Sequence, residues 1–420
     1  MDQRIEKSEK IMTEIIQQAV DLCEKTGGGK VILPPGMYVC GTLCLKDHVT
    51  LWLEEGAVLL GSGRIEDYPD NETCFTDAVG HVRGKALIYA CNKTDTGIGG
   101  PGMINGRGYL YPEGHPSHLV RPFLIRLVGC RQVHIEGIQL VQAAAWCLHL
   151  QDCEEVTVRR VRISSRCNGN NDGIDIDGCR QVEVTGCEID SGDDAICLKS
   201  TSSRCCRSVR ISDCTVTSRW AGFKIGTESV GDFSDITVEN CRFYDVEGCG
   251  IKIVPVDGGC VDGVTVRNVH MIRCTGPIFI SGGNRLRRYY EVSKARPGTI
   301  KNILMEDIRA DVKQAGGGLY QGRPWGNAEG GVVISGLWDY PAENITLRNC
   351  DFAMPGGREA YQKQAVPEMG EQYPEFHLFD PLPSWGAYLR HGRNIKLEDC
   401  RFTASKKDVR PAVVREDIIP

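Results

Sequence analysis

The chain has 420 residues, 49 glycines and a formal net charge of −6 at pH 7. An acidic chain lacks the basic surface that would neutralise phosphates, which argues against a nucleic-acid partner. It has no run of about 18 apolar residues and no apolar signal core near its first residue, so we expect a cytoplasmic protein with no membrane partner. No cofactor motif is present, and the sequence makes no prediction of oligomeric state.

The cysteine content points away from zinc sites. The chain has 21 cysteines and no CxxC pair. In a small secreted protein such a number would indicate disulfides, but in a large chain of this kind we predict buried reduced thiols. Six of them recur at similar points of a repeat: Cys130, Cys153, Cys214, Cys241, Cys350 and Cys400.

Residues 1–27 are predicted to form an amphipathic N-terminal capping helix that covers the open edge of the first turn. The helix ends at Gly27-Gly28-Gly29, and strands are predicted at 30–33, 37–39 and 49–53. The apolar positions at helical spacing are Ile11, Ile15, Ile16, Ala19, Val20, Leu22 and Cys23.

A repeat begins near residue 130, as in CRQVHIEGIQL, CEEVTVRRVRI and CRQVEVTGCEI. Short strands at this period, with no helices between them, are typical of a parallel β-helix, whereas a propeller blade needs about 40 residues. We therefore predict an all-β fold, a single right-handed parallel β-helix domain over 1–420. The apolar anchors that recur at a nearly constant spacing are Val133, Val156, Val182, Val209, Ile236 and Val264.

The later anchors are more widely spaced. Ile303, Ile345 and Ile395 follow at intervals clearly longer than those between the earlier anchors. We predict loop insertions at 311–331 and 353–391, and we expect them to lie over the cleft because long loops are usually functional. The first insertion carries Tyr320, Arg323, Pro324 and Trp325.

An acidic stretch is repeated within the coil pattern. Asp172 and Asp194 occupy matching contexts one repeat apart, which would stack them about 4.8 Å apart on successive turns, with Asp193 beside them. Like charges this close raise at least one pKa, which can keep an acid protonated beside a base. The alternative is that these residues only serve as turn residues at the coil corners.

Strand alternation predicts two outward columns. Pairing Ile196/Leu198 with Phe223/Ile225, or with Ile225/Gly226, leaves two registers open. Acids beside lysines would suit an elongated anionic substrate, although His149 and Trp146 are more often packing residues and exposed lysines more often form weak surface pairs. The first column contains His149, Asp175, Cys197, Lys224 and Lys252, and the second contains Trp146, Asp172, Asp194, Ala221 and Cys249.

NND followed 21 residues later by SGDD, with GIKI downstream, resembles the family 28 glycoside hydrolases, the polygalacturonase group. The opening segment GGGKVILPPGMYVCGTLCLKDHVTLWLEEGAVLLGS and the turn GPGMINGRG are also similar to that family. The resemblance implies inverting hydrolysis of an α-linked uronic acid without metal or cofactor. It implies that Asp193 is the general acid and that Asp172 and Asp194 activate a water. An inverting pair is expected about 6.5 to 9.5 Å apart.

Two departures from the family pattern concern substrate binding. Where the family has G-H-G, this chain has Ser218-Arg219-Trp220-Ala221-Gly222-Phe223, and where the family has R-x-K, it retains Lys252 but has Gly250 in place of the arginine. The lost histidine orders an aspartate and the lost arginine grips a carboxylate in that family, so other residues must replace them. The predicted substrate-binding residues are Lys252, Lys224, Asn170, Glu228, Arg285 and Arg390.

These observations predict a hydrolase of galacturonides in pectin-derived oligosaccharides, acting in an exo mode. One alternative is hydrolysis of the galacturonosyl-rhamnose linkage of rhamnogalacturonan. A β-helix lyase would instead need calcium and a catalytic Arg or Lys. A non-catalytic carbohydrate-binding solenoid is the alternative from a different class of protein. For Arg285, Arg287 and Arg288 the alternative to substrate binding is a basic turn exposed to solvent.

Overall fold

The computed structural model describes residues 3–4, 12–290, 293–314, 319–320, 323–324, 331–379 and 381–420. Contacts between Cα atoms divide the chain into two compact units, unit 1 (Met1–Asp193) and unit 2 (Asp194–Pro420). The predicted single domain over 1–420 stays a prediction. No helix within the described residues is long and apolar enough to span a membrane.

Unit 1 is built from short strands that pair in parallel. They form three ladders: β2-β5-β10-β13-β16-β19, β3-β6-β11-β14-β17-β20 and β4-β9-β12-β15-β18. Three parallel ladders are the three sides of a β-helix coil, as the repeat predicts. The strands are β1 Gln3–Arg4, β2 Gly29–Leu33, β3 Gly36–Cys40, β4 Leu43–Cys44, β5 Val49–Leu53, β6 Ala57–Gly61, β7 Phe75–Thr76, β8 Val82–Arg83, β9 Ala86–Cys91, β10 Thr94–Gly99, β11 Met103–Asn105, β12 Phe123–Val128, β13 Arg131–Glu136, β14 Gln139–Val141, β15 Leu148–Gln151, β16 Glu154–Arg159, β17 Arg162–Ser165, β18 Ile174–Asp177, β19 Arg180–Thr185 and β20 Glu188–Ser191.

Helix α1 spans Thr13–Lys25 and covers the first coil of unit 1. The Gln17 side chain donates to the Cys44 carbonyl at 2.9 Å and accepts from the Cys44 amide at 2.8 Å, which satisfies backbone groups that an edge strand would leave open. Its buried face consists of Ile16, Val20 and Cys23.

The predicted helix bounds of 1–27 are wrong at the start. Gln3–Arg4 is strand β1, which pairs in parallel with β2, and the helix begins only at Thr13. Residues 1–2 and 5–11 lie outside the described part of the chain. Apolar spacing alone could not separate a short edge strand from the helix that follows it. Three shorter 3₁₀ turns in unit 1 span Ile65–Asp67, Gly108–Leu110 and His118–Val120.

Unit 2 repeats the coil with longer strands. The ladder that carries the predicted lysines runs β21-β24-β26-β28-β32-β35-β37. The other two sides share the long strands β25, β27 and β29. The strands are β21 Ile196–Ser200, β22 Cys206–Ser212, β23 Thr215–Ser218, β24 Ala221–Ser229, β25 Phe233–Tyr244, β26 Cys249–Ile253, β27 Val261–Cys274, β28 Ile278–Ser281, β29 Ile300–Val312, β30 Leu319–Tyr320, β31 Arg323–Pro324, β32 Val332–Ser335, β33 Ala342–Arg348, β34 Asp351–Gly356, β35 Ala387–Glu398, β36 Arg401–Lys406 and β37 Val413–Ile419, with a 3₁₀ turn at Phe376–Phe379.

The predicted anchors stack in register within each unit. Val133 lies opposite Val156 in unit 1, and Val264 lies opposite Ile303 in unit 2. The residue before each anchor has a positive φ, for example +57° at Asn302. Asn and Gly tolerate this left-handed conformation, which turns the chain at the same point of each coil.

Long connections leave the coil of unit 2 at three places. Of the predicted insertion 311–331, the structure describes 311–314, 319–320, 323–324 and 331, and these include the antiparallel pair β30 and β31. Trp325 lies outside the described residues. The predicted insertion 353–391 contains the 3₁₀ turn. A third connection, 282–299, was not predicted, although the wide spacing before Ile303 was its signal.

Candidate active site

Asp172 and Asp193 lie together in unit 1. Asp172 precedes β18 and is 2% exposed, whereas Asp193 follows β20 and is partly exposed. Each offers a carboxylate oxygen within 4.8 Å of the other. The Asp193 amide donates to the Asn171 carbonyl at 3.3 Å, which ties the two turns together. Two acids that differ in burial can hold different protonation states.

Asn171 forms the scaffold of this turn and does not point to a binding role. Its side-chain amide donates to the carbonyls of Ala143 and Ala145, both at 2.9 Å, and its oxygen accepts from the Asn168 amide at 2.7 Å. A buried amide with these three partners fixes the backbone before Asp172.

Asn170 contacts two buried arginines that the sequence analysis missed. Its side-chain oxygen accepts from Arg83 at 3.2 Å and from Arg121 at 3.5 Å. Arg83 also pairs with Asp77 at 2.7 Å. Burial, and next the charge of Arg83, lower the pKa of Arg121 to about 9. Both arginines lie well before the acidic stretch in the chain and belong to no repeat, so the sequence carried no signal for them.

Oxygens of Asp172 and Asp193 lie within 4.8 Å of each other. The expected separation of about 6.5 to 9.5 Å between the carboxyl groups of an inverting pair stays a prediction. Carboxylate oxygens this close together are also ligands that a hard cation accepts. A chelator control therefore belongs in every assay of this site.

Asp194, the next residue in the chain, is fixed within unit 2 through both carboxylate oxygens. Lys224 Nζ donates to Oδ2 at 2.6 Å, and the Ala221 amide donates to Oδ1 at 3.3 Å. Ala221 stands where the resembling family has its histidine, so a backbone amide and a lysine order this aspartate instead. Burial works against the Lys224 charge, but Asp194, Tyr373 and Cys197 together outweigh it and the pKa of Lys224 is raised. The predicted alignment of Asp172 with Asp194 stays a prediction.

The 353–391 connection brings two polar side chains onto the lysines. Lys224 Nζ donates to the Tyr373 hydroxyl at 3.2 Å, and Lys252 Nζ donates to Glu375 Oε1 at 2.5 Å. Burial raises the pKa of Glu375, while Lys252 opposes that rise. Neither Tyr373 nor Glu375 was predicted, because both lie far beyond the lysines in the chain and outside any repeated pattern.

The predicted first column is correctly registered within each unit. His149 lies opposite Asp175 in unit 1, and in unit 2 Lys224 lies opposite Cys197 and Lys252. The Phe223/Ile225 alternative is the one observed. The column is nevertheless buried, since segments outside the coil cover it. His149 packs against the rings of Phe75, Phe123 and Trp146, which agrees with a packing role for His149 and Trp146.

Glu228 and Arg285 form further buried charge contacts in unit 2. Lys199 donates to Glu228 at 3.3 Å. Burial would raise the pKa of Glu228, but the charges of Lys199, Arg285 and Lys224 outweigh it and lower the pKa to about 2. Arg285 binds Asp257 through two nitrogens at 2.9 and 2.6 Å and belongs to the unpredicted 282–299 connection.

Arg390 lies in β35 and anchors the 353–391 connection. Its guanidinium donates to the carbonyls of Val366 at 2.8 Å and Pro367 at 3.0 Å, and it is 3% exposed. A further bond reaches the Ser335 hydroxyl at 3.2 Å. These contacts commit Arg390 to loop placement, and its predicted part in substrate binding stays a prediction.

A family model described as glycosyl hydrolases family 28 matches residues 72–319. The chain belongs to family 28 of the glycosyl hydrolases. The matched stretch of this family 28 chain contains both acidic turns and both lysines. It ends before the 353–391 connection, so Tyr373, Glu375 and Arg390 lie outside it.

Curated relatives match this chain at low sequence identity. The chain is 28% identical over 322 residues to a probable polygalacturonase of Vitis vinifera, over 71% of this chain and 65% of that relative. It is 26% identical over 235 residues to an exo-poly-alpha-D-galacturonosidase of Dickeya chrysanthemi, over 44% and 38% of the two chains. The chain therefore spans less than two thirds of the length of these curated relatives.

A solved family 28 exopolygalacturonase of Yersinia enterocolitica resembles this family 28 chain with a TM-score of 0.75. The match has 17% sequence identity and covers 100% of this chain and 78% of that one. At this identity the likeness concerns the fold. It confirms the predicted class, an all-β right-handed parallel β-helix.

Proposed function

We propose that this family 28 protein is a glycoside hydrolase that cleaves α-linked galacturonic acid residues in pectin-derived oligosaccharides. The observation that carries the proposal is the close pair of Asp172 and Asp193. Hydrolysis of a glycosidic bond requires a pair of carboxyl groups, and here one is buried and the other is partly exposed. The stretch matched by the family model adds support, because it contains Asp172, Asp193 and the lysine-bound Asp194 in that order.

The roles are those that the resemblance to family 28 implies. Asp193, the most exposed of the three acids, protonates the leaving oxygen as general acid. Asp172 and Asp194 hold and activate the attacking water. Lys224 keeps the Asp194 carboxylate oriented at 2.6 Å, so it acts on the reaction through that aspartate.

The deciding experiment compares wild type with Asp193→Asn on defined galacturonide and rhamnogalacturonan oligosaccharides. Loss of a general acid should lower kcat by about 10²-fold or more. Asp95→Asn is the matched control, because it removes the same charge from an exposed position of unit 1. Equal product release by wild type and Asp193→Asn would sink the proposal and leave the carbohydrate-binding alternative. An absorbing unsaturated product lost with chelator would indicate a lyase.

Inversion is part of the proposal and has its own test. Retaining enzymes place their two carboxyl groups about 5 to 5.5 Å apart, and inverting enzymes place them further apart to leave room for a water. We keep inversion because Asp194 supplies a second carboxylate for the water. Proton NMR of the first product formed distinguishes the two, since inversion of an α-linkage yields the β-anomer and retention yields the α-anomer.

The exo mode is supported by the loop contacts and by the similarity to the exo-poly-alpha-D-galacturonosidase of Dickeya chrysanthemi. In unit 2 the 353–391 connection lies against Lys224 and Lys252. This contact limits the length of oligosaccharide that can bind along the strand ladder that carries the two lysines. We expect one small product from the earliest times of digestion. A rapid viscosity loss of long substrate ahead of that product would contradict an exo mode.

We also propose that the protein works in the cytoplasm on imported oligosaccharides. All 21 cysteines lie in the described part of the chain and are free thiols. Such a number of thiols suits a reducing compartment. Cell fractionation checks the proposal, and recovery in the medium would contradict it.

A further inference from the structure

Lys252 is bound by an acid that belongs to the protein itself. Its ammonium lies 2.5 Å from Glu375 Oε1, and the two residues are 1% and 9% exposed. Lys252 is the residue that the family pattern assigns to gripping a substrate carboxylate. In this chain a carboxylate from the 353–391 connection already occupies that position.

The second half of the family's carboxylate grip cannot be restored by a side chain at Gly250. A Cβ atom there would lie 2.5 Å from Met271 Sδ and 2.9 Å from the Pro277 carbonyl. Contacts this short do not occur without movement of the neighbours. The coil is therefore packed around a glycine where an arginine would grip a uronate.

The segment that carries Glu375 is firmly packed. Phe376 lies next to Glu375, and its ring centroid is 4.6 Å from that of Phe279 in β28. Arg390 holds the same connection through two backbone carbonyls. The buried cluster around it comprises Cys249, Val254, Phe279, Val333, Met369, Phe376, Phe379, Leu382 and Tyr388. This packing holds Glu375 in place beside Lys252.

Lys252 is the residue at this position that is predicted to bind a substrate carboxylate, and it already holds the carboxylate of Glu375. This fixed negative charge changes what can bind there. A second carboxylate entering there would meet a neutralised lysine and a like charge, whereas a hydroxyl group could donate to Glu375. We propose that Glu375 is a specificity-determining residue, which makes the subsite at Lys252 accept an uncharged sugar residue in place of a free uronate.

This inference rests on the proposed function and names its substrate class. The cleaved bond still belongs to a galacturonide, but one residue beside it is uncharged. That residue could be a neutral sugar or a methyl-esterified galacturonate, since both lack the charge. Substrates carrying each of these separate the two sources.

The test uses three matched oligosaccharides in which one residue beside the cleaved bond is free galacturonate, its methyl ester or a neutral sugar. We expect wild-type kcat/KM to favour the uncharged forms by about tenfold or more. Glu375→Gln should narrow that ratio by about tenfold, mainly through a lower KM for the free acid. Glu371→Gln, an exposed glutamate of the same connection, should keep the wild-type ratio.

Each outcome decides a different question. Cleavage of none of the three by wild type would refute the proposed function itself. Cleavage with a wild-type preference for the free acid, or an equal change on all three substrates in Glu375→Gln, would overturn the inference and leave the hydrolase standing. Should Glu375→Gln unfold, as a melting curve would reveal, the wild-type preference alone supports or overturns the inference.

Discussion

Two neighbouring coils of unit 2 each present a buried lysine paired with an acid. Lys224 lies 2.6 Å from Asp194, and Lys252, directly opposite it in the ladder, lies 2.5 Å from Glu375. The lysines are nearly equivalent in backbone position and burial. Their acids are not equivalent, since Asp194 belongs to the coil and Glu375 to a connection 123 residues further along the chain.

In both pairs the strand ladder fixes the position of the lysine, and the segment that supplies the acid determines the role of the pair. The Lys224 pair lies within the family-matched stretch and orders an aspartate of the proposed reaction. The Lys252 pair depends on a segment outside that stretch and sets what can bind. The same coil position can thus serve chemistry in one turn and selection in the next.

The largest expected effect comes from Lys224→Met. The variant removes the cation of a buried ion pair, and losing one partner of such a pair typically costs about 3 to 5 kcal/mol of stability. We also expect kcat to fall by about 10²-fold, because Asp194 loses its orientation. Kinetics well below the melting temperature check both effects. Lys301→Met, at a partly exposed lysine of unit 2, is the control, and near wild-type kcat in Lys224→Met would break the comparison.

Glu228→Gln tests what a third buried pair contributes to stability, while the predicted part of Glu228 in substrate binding stays a prediction. The pKa of Glu228 is lowered from 4.5 to about 2 in the folded protein, so its contribution is fully present above pH 4.5 and is lost as the pH falls toward 2. The shift corresponds to about 3 kcal/mol. Urea unfolding measures the free energy of unfolding at pH 7 and at pH 3, and the difference between the two values should be smaller in the variant than in wild type. An equal difference in the two proteins would contradict a stabilising role for the Glu228 carboxylate.

Phe379→Ala loosens the connection without touching either lysine. The Phe379 ring packs 5.6 Å from that of Phe279 and 5.4 Å from the Arg390 guanidinium. We expect faster proteolysis within 353–391 and a several-fold weaker preference for uncharged substrates, because Glu375 is no longer held. Glu359→Ala, at an exposed position of the same connection, should change neither. A loosened loop with full preference would show that Glu375 needs no such support.

The smallest expected effect is a pH dependence of substrate preference. Burial raises the pKa of Glu375, so its carboxylate is neutralised at a higher pH than that of an exposed glutamate. Lowering the pH from 7 to 5 should raise relative activity on the free acid by a few-fold. Lys224, Asp194 and Tyr373 also surround it, so the control is Glu375→Gln, in which the change should vanish. Persistence of the change would assign it to one of those neighbours.

The coil and its register could be predicted from sequence because every turn repeats the same apolar anchors. Val264 opposite Ile303 is one such pair, found despite the longer interval. The residues that cover the acids of unit 1 and the lysines of unit 2 could not be predicted, since Arg83 and Glu375 each come from a segment without periodicity. The alternation of apolar and polar residues along the strand predicted that Lys252 faces away from the apolar core of the coil. It could not predict that a segment distant in sequence buries this lysine. The same limit applied to the start of α1, where apolar spacing hid a short strand.

The most direct test of the different uses of the two lysines is a double-mutant cycle of Lys252→Met and Glu375→Gln, read as kcat/KM for the free-acid oligosaccharide relative to its neutral counterpart. If Glu375 acts by occupying Lys252, the roughly tenfold change from Glu375→Gln should shrink to about threefold or less in the Lys252→Met background. The same tenfold change in both backgrounds would contradict the account, because Glu375 would then act independently of the lysine it binds.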